Sequence, residues 1–328
     1  MDIGRFLKHT YWFVFSLLIL LLFTFVMSVM NPVDPVIALI GESATQEIYD
    51  ATAKSLGLDK PVIIRFCYYV KGLLSGDIGV SFLTKKPVWQ DLQRVLPLTL
   101  ELATIALLFG IFIGIPLGVL CAFKKGRLDK IVRSFVFIGH SVPNFLIGYG
   151  VLMLALSMGQ SGLHLGDMQT GLIRSLIRRD WNALAESWLI LWPPAVLLAY
   201  IALAYITRMM RGFVLHEISA QYMITAKIKH LSFTRVFFVH MMPNIMPRLL
   251  PVLILSYTQL LEGSVITETV FSLNGIGSYL VRAVLAHDET AIMGTTLIVG
   301  VIVLSCNFLV DTFVDMSYPQ TPSQRSKT

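Results

Sequence analysis

The sequence predicts an all-α polytopic membrane protein with six transmembrane helices. Three observations predict it. The chain is 55% hydrophobic and 14% charged, with a mean hydropathy of +0.71, whereas soluble domains carry about 25% charged residues. Six apolar runs have the length needed to cross a bilayer. The short loops between those runs carry Lys and Arg on alternate sides. A net charge of +6 then reports orientation rather than a nucleic-acid partner, because no domain-sized basic block exists.

The first run, 11–30, follows Arg5 and Lys8 and is followed by NPVDP, with no small-residue cleavage site. It reads as a retained span rather than a signal peptide. The second run covers 98–123, the third 134–158, and the fourth 189–209 with Pro193 and Pro194 in its outer end. The fifth covers 236–263 and the sixth 293–314. Loop 124–133 has five basic residues in ten, and loop 210–235 has Arg211, Lys227, Lys229 and Arg235 against Glu217 alone. With Arg5 and Lys8 at one end and Arg325 and Lys327 at the other, both termini and these two loops are expected in the cytoplasm.

Three segments remain for the outer side. Residues 31–97 are long enough for a small folded lid, with turn signals at GLDKP (57–61) and SGDIG (75–79). Residues 158–187 look partly helical around LIRSLIRRDWNALAESW, and NGIG after Thr267 reads as a turn. The expected division is a first span plus lid over 1–97, a five-helix core over 98–318 containing a cytoplasmic loop at 210–247, and a tail at 319–328.

The chain lacks GxxxxGK[ST], so it does not itself hold ATP in a phosphate loop; GxSxG, HExxH and CxxC are also missing. Its seven histidines are dispersed without ligand spacing, and Cys67, Cys121 and Cys306 form neither a disulfide framework nor a metal set. No cofactor, metal or catalytic residue is expected. Ionisable groups inside spans are costly unless paired or wetted. Glu101, His140, Asn144 and Glu262 are candidates for a polar path, the alternative being carboxylates satisfied near an interface.

The segment YMITAKIKHLSFTRVFFVHMMPN (222–244) is basic, half apolar and free of acids. Tyr222 to Lys229 has helix-forming composition, and Ser232 is positioned as the N-cap of a second helix. Physics alone leaves two readings open, an interfacial helix on anionic lipid or a docking element.

Tyr222, Thr225, Ala226, Lys227, Lys229, Leu231, His240 and Asn244 resemble the cytoplasmic "EAA" loop of ABC importer permeases, particularly those for dipeptides and oligopeptides. That loop commonly reads Tyr-x-x-Thr-Ala-Arg-Ala-Lys-Gly-Leu and, further on, His-x-x-Pro/Arg-Asn. Segments 57–82, 85–103, 114–122 and 267–294 resemble further family stretches in the same order. Two positions depart: His230 replaces a glycine, and Asp288-Glu289-Thr290 replaces Asp-Tyr-Pro.

The resemblance implies a type I ABC importer permease in a bacterial inner membrane, importing short peptides by alternating access. It implies a homologous second permease, two cytoplasmic ATPase subunits that bind ATP and magnesium, and an external solute-binding protein. Tyr222, Met223, Thr225, Ala226, Lys227, Lys229, His230 and Leu231 would contact the ATPase, with Met223 and Leu231 buried in it and the two lysines on the rim. Related permeases serve nickel or other metal chelates and antimicrobial peptides. A non-transporting membrane sensor or scaffold is the alternative of a different class.

Overall fold

The computed structural model describes residues 3–30, 34–41, 45–55, 57–124, 126–157 and 171–317. Among these the only β-type pairing is an isolated bridge between Val80 and Pro87. In chain order, α1 (Ile3–Met30) leads through α2 (Pro35–Ile40), α3 (Gln46–Ser55) and α4 (Val62–Leu74) to α5 (Val88–Phe109). A π-turn at Gly110–Gly114 joins α5 to α6 (Ile115–Phe123). Then come α7 (Arg127–Ser141), α8 (Asn144–Ser157), α9 (Leu172–Arg178) and α10 (Trp181–Ile218). α11 (Gln221–Ile228) and α12 (Phe233–Arg235) precede a second π-turn at Val236–Met241, which runs into α13 (Met242–Val270); α14 (Ile276–Leu285) and α15 (Glu289–Ser317) complete the chain.

Among the described residues, five continuous helical stretches are long and apolar enough to cross a membrane: 4–29, 88–123, 181–218, 233–270 and 289–317. The third expected span is instead two helices broken at Val142–Pro143. Proline has no N–H to continue a helix and pushes the residue before it out of the α region, and the Leu146 N–H bonds back to the Pro143 carbonyl to open α8.

Helix ends also overrun the expected spans, because hydropathy detects only the part of a helix that is immersed. α5 starts at Val88, where Pro87 sets the entry, and its first turns bury Val88, Leu92 and Val95 against Ile276 and Tyr279 of α14. α10 starts at Trp181, capped by the Asp180 carboxylate accepting from Ala183 N–H at 3.1 Å. With 38 residues α10 is about 57 Å long at 1.5 Å per residue, roughly twice a 30 Å hydrocarbon core.

α10 is the central post, touching α5 through α9 and α13. Its close approach to the second span depends on Gly110, Gly114 and Gly118, spaced four apart. A Cβ at Gly118 would sit 2.8 Å from the Thr207 carbonyl oxygen, so only hydrogen fits there. The face of the bundle holding residue 3, α11 and the end of α15 is termed the first face, and the opposite one the second. α1 and α15 pair at the first face through His9 Nε2 and Asp315 at 2.8 Å, with Arg5 3.9 Å from the same carboxylate.

In the expected lid, α3 and α4 contain no buried residue, and α2 buries Val36. Both turns expected within it are present, with Gly57, Gly76 and Gly79 at positive φ.

Candidate functional site

The basic segment folds as a short helix, a tight turn and the start of the fifth span. α11 ends in a Schellman arrangement: the Leu231 N–H donates to the Ala226 carbonyl at 3.2 Å around His230, whose φ is +49°. The residue that departs from the family pattern therefore occupies the conformation that favours glycine. Ser232 precedes α12 as expected, but its hydroxyl makes no capping bond.

The faces of α11 differ from those anticipated. Met223 and Ala226 are buried and Leu231 half-buried in the chain's own cluster with Val214, Phe237 and Met241. Met223 and Ala226 seat the helix, and Leu231 is partly taken up by the same cluster. Ile224 and Ile228, one turn apart, are 60% and 72% exposed, alongside exposed Thr225, Lys229 and His230. The Lys227 side chain lies outside the described residues. This exposed isoleucine pair lies on a helix outside the five spans, whereas the other exposed apolar residues of the segment, Phe233, Phe238 and Val239, belong to the start of the fourth of them.

A polar hub fixes the seat. Glu217, buried at the end of α10, accepts from the Tyr222 hydroxyl at 2.5 Å, pairs with Arg248 of α13 and lies 3.4 Å from His216 Nδ1. Burial, and then donation to Glu217, pushes the Tyr222 phenol up to about 12, so it stays a donor at neutral pH. The hub opens on a groove of about 720 Å³ lined by Tyr222, Asn244, Arg248 and Ser317. Nearby, Arg211 makes bonds of 2.7 and 3.0 Å to Asp129, pinning α7 to α10.

Of the four expected path residues, the two whose side chains are described, Glu101 and Glu262, are not brought together. Glu101 is buried in α5, and its carboxylate accepts the Ile173 N–H at 2.8 Å, holding the start of α9. It faces that helix. Glu262 is exposed on α13. The side chains of His140 and Asn144 lie outside the described residues. Among the described residues no three His, Cys, Asp or Glu side chains converge as a metal set.

Two carboxylates on the second face were not among the expected site residues. Glu268 is 0% exposed and accepts from Thr99 Oγ1 at 2.6 Å, Gly277 N–H at 2.8 Å and Ser278 N–H at 3.0 Å. Thr99 in turn accepts the Ile276 N–H at 2.8 Å. One carboxylate thus joins α5, α13 and the start of α14. A Cβ at Gly275 would run into it and one at Gly277 would run into the Val265 backbone, which is the physical reason for the glycines of NGIG. The turn itself falls earlier, at Phe271–Ser272. Asp288, also buried, caps α15 through Ala291 N–H at 3.1 Å and accepts from Ser81 Oγ at 2.5 Å and Leu83 N–H at 2.9 Å. The signal for Asp288 was an acid placed just before a helix start, whereas Glu268 lies inside α13, close to its end, and has no such mark.

Comparison with known proteins matches residues 114–321 to the family model described as binding-protein-dependent transport system inner membrane component, and 4–103 to the N-terminal model of such membrane components. The probable D,D-dipeptide transport system permease protein DdpB of Escherichia coli is 35% identical over 300 residues, covering 88% of each chain. The di/tripeptide transport system permease protein DppB of Pseudomonas aeruginosa is 35% identical over 316 residues, covering 93% of this chain and 94% of its own. Among solved structures, an inward-facing form of the MetNI methionine ABC transporter superposes with a TM-score of 0.53 at 21% identity, over 69% of this chain and 96% of that one.

Proposed function

The chain belongs to the family of binding-protein-dependent transport system inner membrane components, and we propose that it is the permease subunit of an ATP-driven importer of short peptides. The observation that carries this reading is α11, a helix seated firmly on the bundle that leaves an isoleucine pair uncovered. Peptide substrates follow from the di- and tripeptide systems to which its relatives belong.

The work is divided between chains. This one has no phosphate-binding loop, so ATP and magnesium are held by two separate cytoplasmic ATPase subunits. Each permease, this chain and a homologous sister, offers its coupling helix to one ATPase. Closure of the ATPases pushes on Ile224 and Ile228. The Met223–Ala226–Leu231 seat and the Glu217–Tyr222–Arg248 hub pass that displacement to the fourth and fifth spans. A solute-binding protein delivers the peptide from outside. The Lys and Arg of loops 124–133 and 210–235 put the first face, with both termini, in the cytoplasm. Loop 210–247 is the coupling region of a core spanning 98–318.

The test separates the two faces of α11. In the complete transporter reconstituted in vesicles, combining Ile224→Ala with Ile228→Ala lowers binding-protein-stimulated ATP hydrolysis on the order of tenfold or more, as loss of a desolvated anchor pair does, and leaves the thermal midpoint unchanged. Met223→Ala instead lowers the midpoint. A well-folded double variant that keeps full stimulated hydrolysis would sink the coupling role. Uptake of a labelled dipeptide checks the substrate class, and uptake confined to a metal chelate would replace it.

A further inference from the structure

We propose that α4 lies in the plane of the membrane at the second face, with its outward stripe in contact with lipid. The argument starts from depth. α4 meets α1 at one level, where Phe66 and Tyr69 pack on Phe25 with ring centroids 5.2 and 5.8 Å apart and the Tyr69 and Thr24 hydroxyls are 3.4 Å apart. The apolar span of α1 ends at Val29. At 1.5 Å per residue, Thr24 and Phe25 lie roughly 6–8 Å inside that end. An interfacial helix sinks its apolar face about 5–10 Å into the boundary between headgroups and acyl chains, so α4 is held at that depth by its own anchor.

The other side of α4 has the matching composition. Ile63, Cys67, Lys71 and Leu74 follow one another at helical spacing along one stripe, with Ile64 and Tyr68 on its flank. Ile63 is 78% and Leu74 85% exposed, and no residue of α4 is buried. In water such a face has nothing to hold it. At this depth it continues the exposed apolar surface of α1, where Leu18, Leu22 and Val26 also face outward. The cations fit the same placement. Lys60 stands 4.2 Å over the Tyr68 ring, and Lys71 has a stem long enough to lift its ammonium to the phosphates. Aliphatic side chains thus reach the acyl region while Lys60, Lys71 and Tyr68 meet headgroups. This assignment stands whether or not the chain transports peptides.

The experiment is depth-resolved quenching. Combining Cys121→Ala with Cys306→Ala leaves Cys67 as the sole thiol, to be labelled with an environment-sensitive fluorophore in the full chain in phosphatidylethanolamine–phosphatidylglycerol vesicles. Lipids spin-labelled near the glycerol are expected to quench it several-fold more than chain-end-labelled lipids or aqueous iodide. Leu74→Cys in a background that also carries Cys67→Ala reports the far end of the stripe and must give the same order. Quenching by iodide without lipid quenching overturns the proposal in favour of a solvated face. Protection from both quenchers overturns it in favour of a protein partner.

Discussion

His230 shows how one residue's conformation carries a measurable cost. A left-handed φ of +49° costs an L-residue roughly 1–2 kcal/mol, and histidine is among the residues that tolerate it best. His230→Gly removes the steric part and returns some unfolded-state entropy, for a net gain of about 0.5–1 kcal/mol, while His230→Val loses at least as much. Thermal unfolding in detergent reads both, and a lower midpoint for the glycine variant would show that the imidazole makes a contact worth more than the strain. Tyr222 allows a test in pH. Its folded phenol is raised from 10.0 to about 12, chiefly by burial and then by donation to Glu217. The stability it contributes is therefore fully present below about pH 10 and is lost as pH rises through about 12. The midpoint of the natural protein should fall more steeply across that window than that of Tyr222→Phe, with the two running parallel below it. Parallel curves throughout would mean that the hydroxyl is not held by Glu217.

At the scale of elements, the second span is shaped by its glycines. A Cβ at Gly118 would meet the Thr207 carbonyl at 2.8 Å and the Arg211 nitrogen at 3.1 Å, both backbone atoms that cannot turn aside, whereas one at Gly150 meets nothing within 4 Å. Gly118→Ala should therefore cost about 1–3 kcal/mol, the usual range for overpacking, and Gly150→Ala next to nothing; equal midpoints would show that α6 and α10 can separate freely. The existence of these helices was legible in the sequence because immersed apolar length is a strong signal. Their ends were less so. Helices α9, α11, α13 and α14 are each followed by a left-handed residue other than glycine, namely Arg179, His230, Ser272 and His287, closed by a bond back to residues 175, 226, 268 and 283 respectively. Without glycine at these positions, nothing marks the stop. The site was legible in part for a related reason. Composition marked 222–244 as unusual, but only packing decides that Met223 faces inward while Ile224 and Ile228 face out, and apolar side chains of similar size carry no label for that choice. Glu268 was missed because one of its donors, Thr99, lies 169 residues earlier in the chain and the other two are backbone N–H groups, which carry no side-chain signal.

For the molecule as a whole, the open question of topology is the broken third span. α7 has 15 residues and α8 has 14, so each is about 21–23 Å long and neither alone reaches across about 30 Å of hydrocarbon. Together they cross if they continue in one direction, and they return to their starting face if they form a hairpin. The ties at their ends favour crossing. α7 begins at the first face, where Asp129 holds Arg211 near the end of α10. α8 packs on the earlier half of α10, with Gly148 against Leu197, and the chain next described, α9, is held at the second face by Glu101. If α7 and α8 formed a hairpin, the residues between α8 and α9 would have to cross the bilayer without them. Alkaline phosphatase fusions decide the matter, because that enzyme needs disulfides and matures only outside the reducing cytoplasm. Fusions after residues 126 and 220 should be inactive and a fusion after residue 165 active. The reverse pattern would keep the crossing but invert the orientation read from Lys and Arg. Equal activity at 126 and 165 would mean that the pair does not cross, which would leave α10 without a starting point on the second face.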